Sequence, residues 1–490
     1  MPLSWDSSGY WLSRTIFLRS LGFLYLVAFL NAVNQFNPLL GERGLLPVST
    51  WIREVPFRSS PSLFYFAPKD PVFTTAAWLG VALSCLVITG VADRYSSLVT
   101  AAVWAALWLL YISFVNIGQT FYAFGWESVL LEAGFYSIFL GSARSSPQFL
   151  SILLLRWLCF RLMFGAGLIK IRGDQCWHDM TCLDYHYETQ PMPNPLSWFF
   201  FNSPAWSHRL GVWFNHFAEL IVPFGYFLPQ PIATIAGIIT IVFQSFIFAS
   251  GNLSWLNALT IVLAIPLLDD RLLSHLLPIT PPPLTASALP HKIAVGALTV
   301  LVVWLSIDPV RNMLSPNQVM NTTYNPFHLV GTYGAFGSIT RIRNEVVVEG
   351  TDEAVLSEST RWREYEFRGK PTDVARMPPQ VAPYHLRLDW LMWFAAMGSY
   401  TENPWFVHFM ANLLRNDAPT LSLIRSNPFP DHPPRYVRAD LYEYHFTTPE
   451  ERRRTGHWWT RRFVARYFPI VSRDTPSFRE LLQQQDWLDK

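Results

Sequence analysis

The chemically capable side chains of the first half crowd into residues 171–211, where His178, Asp179, His186 and Glu188 stand within ten or so positions of one another. Imidazoles and carboxylates so close in sequence are the raw material of a metal site or an acid–base pair. Neither a His-x-x-x-His helix spacing nor a His-x-His pair is present, so no metal and no cofactor are expected. A hydrogen-bonded lid built on YHYETQP, 185–191, is the competing reading. Cys176 and Cys182 flank five residues in CWHDMTC. A structural zinc site prefers two to four intervening residues and a second ligand pair, which this chain lacks. A disulfide in an oxidising compartment and two free thiols remain as alternatives. Slightly later, Asn215, His216 and Glu219 recur at three to four residues, so His216 and Glu219 share a helical face that can meet Lys170 at the end of the preceding apolar run. Lys170, His216 and Glu219 are therefore the candidates for acid–base work, with no catalytic role assigned. The polar pocket they imply binds a substrate or only seals the elements around it.

The familiar signatures of other chemistries are missing. No G-x-S-x-G, P-loop or dinucleotide fingerprint occurs, so hydrolase, NTPase and dinucleotide readings have no support. GTYGAFGSIT, 331–340, reads as a turn-rich connector and not as a phosphate cradle. A formal net charge of +2, with acids interrupting the arginine runs, leaves no footprint for nucleic acid.

The elements that must hold these groups are set by solvent. Hydrophobic residues make up 51% of the 490-residue chain and charged ones 15%, well under the roughly 25% of soluble domains. The first 307 residues carry 15 of the 37 Lys and Arg and 14 of the 35 Asp and Glu, which points to lipid for one part and water for the other. About 20 apolar residues cross a bilayer as a helix. Stretches 72–92, 97–115, 232–250 and 290–307 meet that cleanly. Stretches 16–36, 128–141, 148–170, 212–229 and 254–268 do so with charged or polar interruptions. The expectation is a polytopic α-helical membrane bundle of five to nine spans over 1–307. Met1–Tyr10 lacks a basic stretch and the first apolar run carries Arg19 and no cleavage site, so that run is expected to stay as an anchor. Charges at the bilayer centre are costly, so Arg156, Arg161, Glu132 and Glu219 are expected to form a seam inside the bundle, with snorkelling to the interface as the alternative. Trp5, Tyr10, Trp11, Trp198 and Trp206 sit near span ends, as interfacial belts do. An odd span count with a cytosolic N-terminus would leave the tail outside the cytosol, and the sequon at Asn321 is compatible with that.

After Asp308 the pattern turns aqueous. Residues 341–350, 361–370 and 436–447 alternate apolar and polar side chains as strands do, while DWLMWFAAM and the run from Pro404 have helical spacing, with Asn427-Pro428 as the stop. The region 308–490 is expected to be a soluble α+β domain with an antiparallel sheet beside the membrane. Its tryptophans Trp390, Trp393, Trp405, Trp458 and Trp459 are either core or an apolar surface for unfolded clients.

Long runs of uncommon residues resemble the lipase maturation factor family across nearly the whole chain. They are GAGLIKIRGDQCWHDMTCLDYHYETQPMPNP (165–195), NHFAEL (215–220), SGNLSWLN (250–257), NPFHLVGTYGAFGSITR (325–341), APYHLRLDWLMWFAA (382–396) and NPFPDHPPRYVRADLY (427–442). The resemblance implies a non-enzymatic membrane protein that helps secreted lipases fold and assemble into dimers. It implies an endoplasmic reticulum membrane for a eukaryotic source, or the plasma membrane for a bacterial one, with the C-terminal domain extracytoplasmic. A weaker resemblance links the span running into GAGLIKIRGDQCW to the vitamin K-dependent gamma-carboxylase superfamily. There a lysine acts as base, which would make Lys170 catalytic, desolvation lowering its pKa. This sequence has one lysine followed by Ile171 and Arg172, a departure from that pattern, and snorkelling of Lys170 and Arg172 to headgroups is the plain alternative.

Overall fold

A computed structural model describes residues 8–485 and Trp487. Uninterrupted apolar runs become helices because in hydrocarbon every backbone N–H and C=O must be satisfied within the segment. Six helices among the described residues are long and apolar enough to cross a membrane. They are α1 (Trp11–Leu40), α2 (Asp70–Ile88), α3 (Ser97–Ile117), α5 (Phe149–Arg172), α7 (Ile232–Ser250) and α9 (Leu289–Leu305, continued by Ile307–Leu314). Three shorter segments complete the bundle: α4 (Gly125–Ser137), α6 (Ala205–His216) with its extension to Phe227, and α8 (Leu256–Ala264).

Hydrogen bonds sort the helix ends into two layers. At one, Trp11 donates to the Ala143 carbonyl (2.7 Å), Arg14 to Leu140 (3.1 Å), Ser13 to Ile265 (3.0 Å) and Gln230 to the Tyr10 hydroxyl (3.0 Å), while Arg19 pairs with Asp93 (2.8 Å). At the other, Gln35 donates to the His385 carbonyl (2.7 Å), Asn252 to Pro379 (2.8 Å), and Glu127 pairs with Arg387 (2.8 Å). The chain shuttles between these layers nine times among the described residues, six times on long helices and three times on short or broken ones. Residue 11 therefore lies at one end and the C-terminal domain at the other.

The aromatic belt needs correction. Tyr10, Trp11 and Trp198 are buried in protein, Trp198 donating to the Thr447 carbonyl at 2.8 Å. Trp206 is exposed. Trp5 lies outside the described residues.

The C-terminal region forms a four-stranded antiparallel sheet, order β2-β1-β3-β4, from β1 (Arg343–Thr351), β2 (Arg363–Glu364), β3 (Tyr436–Phe446) and β4 (Trp459–Val471). Helices α10 (Arg387–Ala395) and α11 (Pro404–Arg415) pack on it. Two expectations fail here. Of 361–370 only Arg363 and Glu364 pair as a strand, although Tyr365 and Phe367 point into the core as the alternation required. The run from Pro404 stops at Arg415, where Asn416 takes a left-handed φ of 53° and its N–H returns to the Asn412 carbonyl, long before Asn427-Pro428. One apolar core runs unbroken from Phe17 in α1 to Trp487, so the halves are packed together and not tethered.

Candidate functional site

Helix α5 carries three buried cations, Arg156, Arg161 and Lys170. At its C-terminal end Lys170 Nζ donates to Asn215 Oδ1 (2.8 Å), Glu219 Oε1 (2.7 Å) and Glu219 Oε2 (2.8 Å), and it sits 5.1 Å from the centre of the Trp177 ring. Asn215 donates in turn to Glu219 at 3.1 Å. The opposing segment reaches in by breaking its helix: Phe217–Ile221 form a π-helical turn, and Val222–Phe227 a 3₁₀ stretch begun at Pro223. Gly167 permits the approach. A β-carbon there would lie 2.7 Å from Leu220 and 2.9 Å from the Cβ of Glu219. Of the residues the sequence set at this end, Glu219 stands against Lys170, and Asn215, four residues before Glu219, completes the trio. His216 turns aside, its Nε2 3.0 Å from the Trp177 carbonyl.

The intramembrane charges form separate knots and not a continuous seam. Arg161 and Glu132 make a buried ion pair, and Glu132 also accepts from Tyr136 (2.5 Å) and Tyr333 (2.7 Å). Tyr333 belongs to the 331–340 connector, which lies on α5. Among the described residues Arg156 forms no ion pair with a carboxylate. It donates to the Pro266 carbonyl (3.1 Å), the Tyr226 carbonyl (3.1 Å) and the Tyr10 hydroxyl (2.8 Å). Carbonyls freed where helices break around Pro266 and Pro223 satisfy its guanidinium without an acid.

The polar loop is a docking surface. Cys176 and Cys182 are joined as a disulfide. Asp174 pairs with Arg341 at 2.7 Å, and that hydrogen bond holds its carboxyl down at about 2. Arg343 donates to the carbonyls of Glu188, Gln190 and Pro191. Glu188 accepts from the Phe446 N–H and lies 3.4 Å from His445, whose pKa is raised to about 9, chiefly by Glu188. His178 contacts the Ile171 carbonyl (2.8 Å) and Asp179 accepts from Gln175 (3.1 Å), so neither joins His186. Burial and the nearby Lys170 push His186 down to about 4. Among the described residues no group of three or more His, Cys, Asp or Glu is arranged to hold a metal.

One junction was not anticipated. Arg387 opens α10 and pairs with Glu127 of α4 (2.8 Å), both fully buried. It also donates to Asn31 (2.7 Å) and the Phe121 carbonyl (2.6 Å). An arginine inside the apolar run HLRLDWLMWF was the available signal, since a cation there needs a buried partner.

Comparison with known proteins matches the lipase maturation factor transmembrane domain to residues 12–275 and the lipase maturation factor C-terminal domain to 329–469. The chain belongs to the lipase maturation factor family. It is 44% identical to lipase maturation factor 1 of Bos taurus, over 96% of this chain and 91% of that protein. It is 42% identical to lipase maturation factor 1 of Homo sapiens (98% and 91%) and 30% identical to human lipase maturation factor 2 (97% and 85%). No solved structure matches.

The carboxylase-type alternative finds no support in this lipase maturation factor. The Lys170 Nζ already spends its three donors on Glu219 and Asn215. The tryptophans singled out for client contact are largely core. Trp390, Trp405, Trp458 and Trp459 are buried, packed on Trp126, Phe121, Trp198 and Phe446 respectively, and Trp393 is half-buried with its indole on the Thr189 carbonyl (3.0 Å). They knit the two halves together. The apolar side chains that the C-terminal domain does expose include Phe394, Met397, Phe463 and Val464.

Proposed function

We infer that this chain is a membrane-embedded, non-enzymatic maturation factor for secreted lipases, assisting their folding and dimer assembly from the extracytoplasmic side. That side is the lumen of the endoplasmic reticulum in a eukaryote, or the outer face of the plasma membrane in a bacterium. The observation that carries the reading is the family match over both halves, at 42–44% identity to lipase maturation factor 1 of two mammals. The bonded Cys176 and Cys182 favour an oxidising compartment for the 171–211 loop. Asp174–Arg341 and the Arg343 contacts support a C-terminal domain on that loop's side, and nine passes among the described residues support residue 11 on the opposite one.

The client-facing element is β4. It is an edge strand, and Thr460–Arg466 are exposed on both faces, with Phe463 and Val464 among them. Apart from its ladder to β3, these residues make no backbone–backbone hydrogen bond among the described residues. A free edge bearing apolar side chains is a template for an extended segment of an incompletely folded client. The test is secretion of active lipase from cells lacking their own factor. The wild-type chain should restore it; failure would overturn the maturation reading. Phe463→Lys/Val464→Lys, which places lysines on the edge, should keep the protein in the membrane while secretion and client co-purification fall together. Wild-type secretion from that variant would overturn the role of β4 alone.

A further inference from the structure

A cavity of about 560 Å³ lies between α6, α7 and the short helix Leu183–Thr189 of the polar loop. Its mouth faces sideways. Trp206, Leu210 and Trp213 follow one face of α6, Val242 and Phe246 follow one face of α7, and all five line the cavity and are exposed. Exposed apolar side chains on two membrane passes meet lipid, so the cavity is entered from the bilayer. Behind the mouth the wall is aromatic: Phe214 of α6 packs on Phe243 of α7 with ring centres 5.8 Å apart, and Phe200 packs on Phe246 at 5.0 Å.

Most polar groups of this wall are already engaged. Lys170 and Asn215 both bond Glu219, and His208 bonds Asp184 (2.6 Å) and Ser203 (3.0 Å). Two neighbours are not. The imidazole of His186 and the hydroxyl of Tyr187 have no hydrogen-bond partner among the described residues, and both residues line the cavity. Neither group is sealed in, as the unpaired indoles of Trp126 and Trp390 are. Tyr187 is only 3% exposed, so what its hydroxyl meets is the cavity and not bulk water. The two rings are 6.1 Å apart between centres, close enough to share one small polar group.

The chemistry of that group follows from its two partners. Burial and the nearby Lys170 keep the imidazole neutral, with one N–H donor and one bare nitrogen, and a phenol also donates and accepts. A hydroxyl is the uncharged group that donates to one and accepts from the other. A charge or a second polar group on the ligand would meet only engaged partners and rings, because the lysine in the wall is held by Glu219 at 2.7 Å. The ligand is therefore a bilayer lipid with one hydroxyl. Its body is set by the interlocked rings, whose stiff, flat surface a rigid alicyclic body covers without the rotamer entropy that a flexible chain would lose.

We propose that this cavity binds a sterol taken from the surrounding leaflet, its hydroxyl between His186 and Tyr187 and its ring system against Phe200, Phe214, Phe243 and Phe246. The site is separate from the β4 edge and needs no client.

The test is photolabelling of the full chain in phosphatidylcholine nanodiscs with a diazirine-bearing cholesterol analogue, the labelled peptides being mapped by mass spectrometry. Label within 183–215 or 242–250 that unlabelled cholesterol competes away is expected. Cholesteryl acetate, whose hydroxyl is blocked, sodium oleate and octadecanol should each compete about tenfold more weakly. His186→Phe/Tyr187→Phe removes both polar partners and should weaken cholesterol competition about tenfold, and Val242→Trp, at the mouth, should prevent labelling. Melting temperature verifies that each variant is folded, and the competition arms on the wild type decide even where one is not. Four results would overturn the proposal. They are label that cholesterol does not compete; label confined to other peptides; competition by acetate, oleate or octadecanol equal to that of cholesterol; or folded variants that behave as the wild type does. Lipase secretion is not the readout, so failure here leaves the maturation reading standing.

Discussion

Removing the Arg387 guanidinium should partly unseat the C-terminal domain from the bundle. Arg387 and Glu127 are both fully buried and 2.8 Å apart, one on α10 and the other on α4. In Arg387→Met, Glu127 keeps only the Tyr111 hydroxyl, while Asn31 Oδ1 and the Phe121 carbonyl lose a donor. Breaking a buried pair from one side costs about 3–5 kcal/mol, because the surviving charge stays desolvated. At about 2 °C per kcal/mol, the low end for larger domains, the purified protein should melt about 6–10 °C lower. Glu127→Leu/Arg387→Met removes both charges, so it should melt above the single variant despite the second substitution. The exposed pair Arg311–Asp308 is the control, and its loss should leave melting unchanged. Scanning fluorimetry in detergent measures all four proteins. The reasoning is refuted if Arg387→Met melts like the wild type, or if the double variant melts below the single one.

Two further outcomes follow from the polar knots. His445 is raised from 6.5 to about 9 by Glu188 and Glu443, so the stability its charge contributes is fully present below about pH 6.5 and is lost as pH rises through about 9. The wild-type melting temperature should fall across that window, and His445→Gln should flatten the fall; an equal slope in both proteins would show that the contact with the loop is not felt. Lys170→Met strands the buried Glu219 and should lower both stability and secretion, whereas Lys170→Met/Glu219→Leu should recover much of both. A double variant that folds but secretes no active lipase would mean that Lys170 does more than neutralise.

How much was legible depends on which solvent each residue meets. Four of the six long spans, α2, α3, α7 and α9, were readable because hydrocarbon selects uninterrupted apolar runs, whereas α1 carries Arg19 and α5 carries Arg156 and Arg161. The three short passes were readable only as doubtful ones: Glu132 interrupts the first and His216 and Glu219 the second, with partners far away in sequence, and the third is a helix of only 9 residues. Strands β1 and β3 announced themselves by alternation. Strand β4 did not: register shifts in its pairing with β3, one of them between Leu441 and Tyr442, break the period and leave Phe463 and Val464 side by side. Lys170 and Glu219 were legible as charges that need partners. Asn215 lost to His216 in the sequence reading because a neutral amide announces no such need. The Arg387–Glu127 junction spans 260 positions, beyond any local pattern.

These long-range pairs also say why the two halves act as one body. Apolar contact alone would let the C-terminal domain slide on the bundle, since dispersion forces are nearly indifferent to register. Arg387, Arg343 and Arg341 are not indifferent, because each finds its acceptors in one placement only: Glu127, Asn31 and Phe121 for the first; the 188–191 carbonyls for the second; Asp174 for the third. Displacement would leave the buried ones unpaired, at a cost a membrane-surface domain cannot recover from water. The bundle thereby holds the sheet, β4 included, in one position relative to the membrane helices.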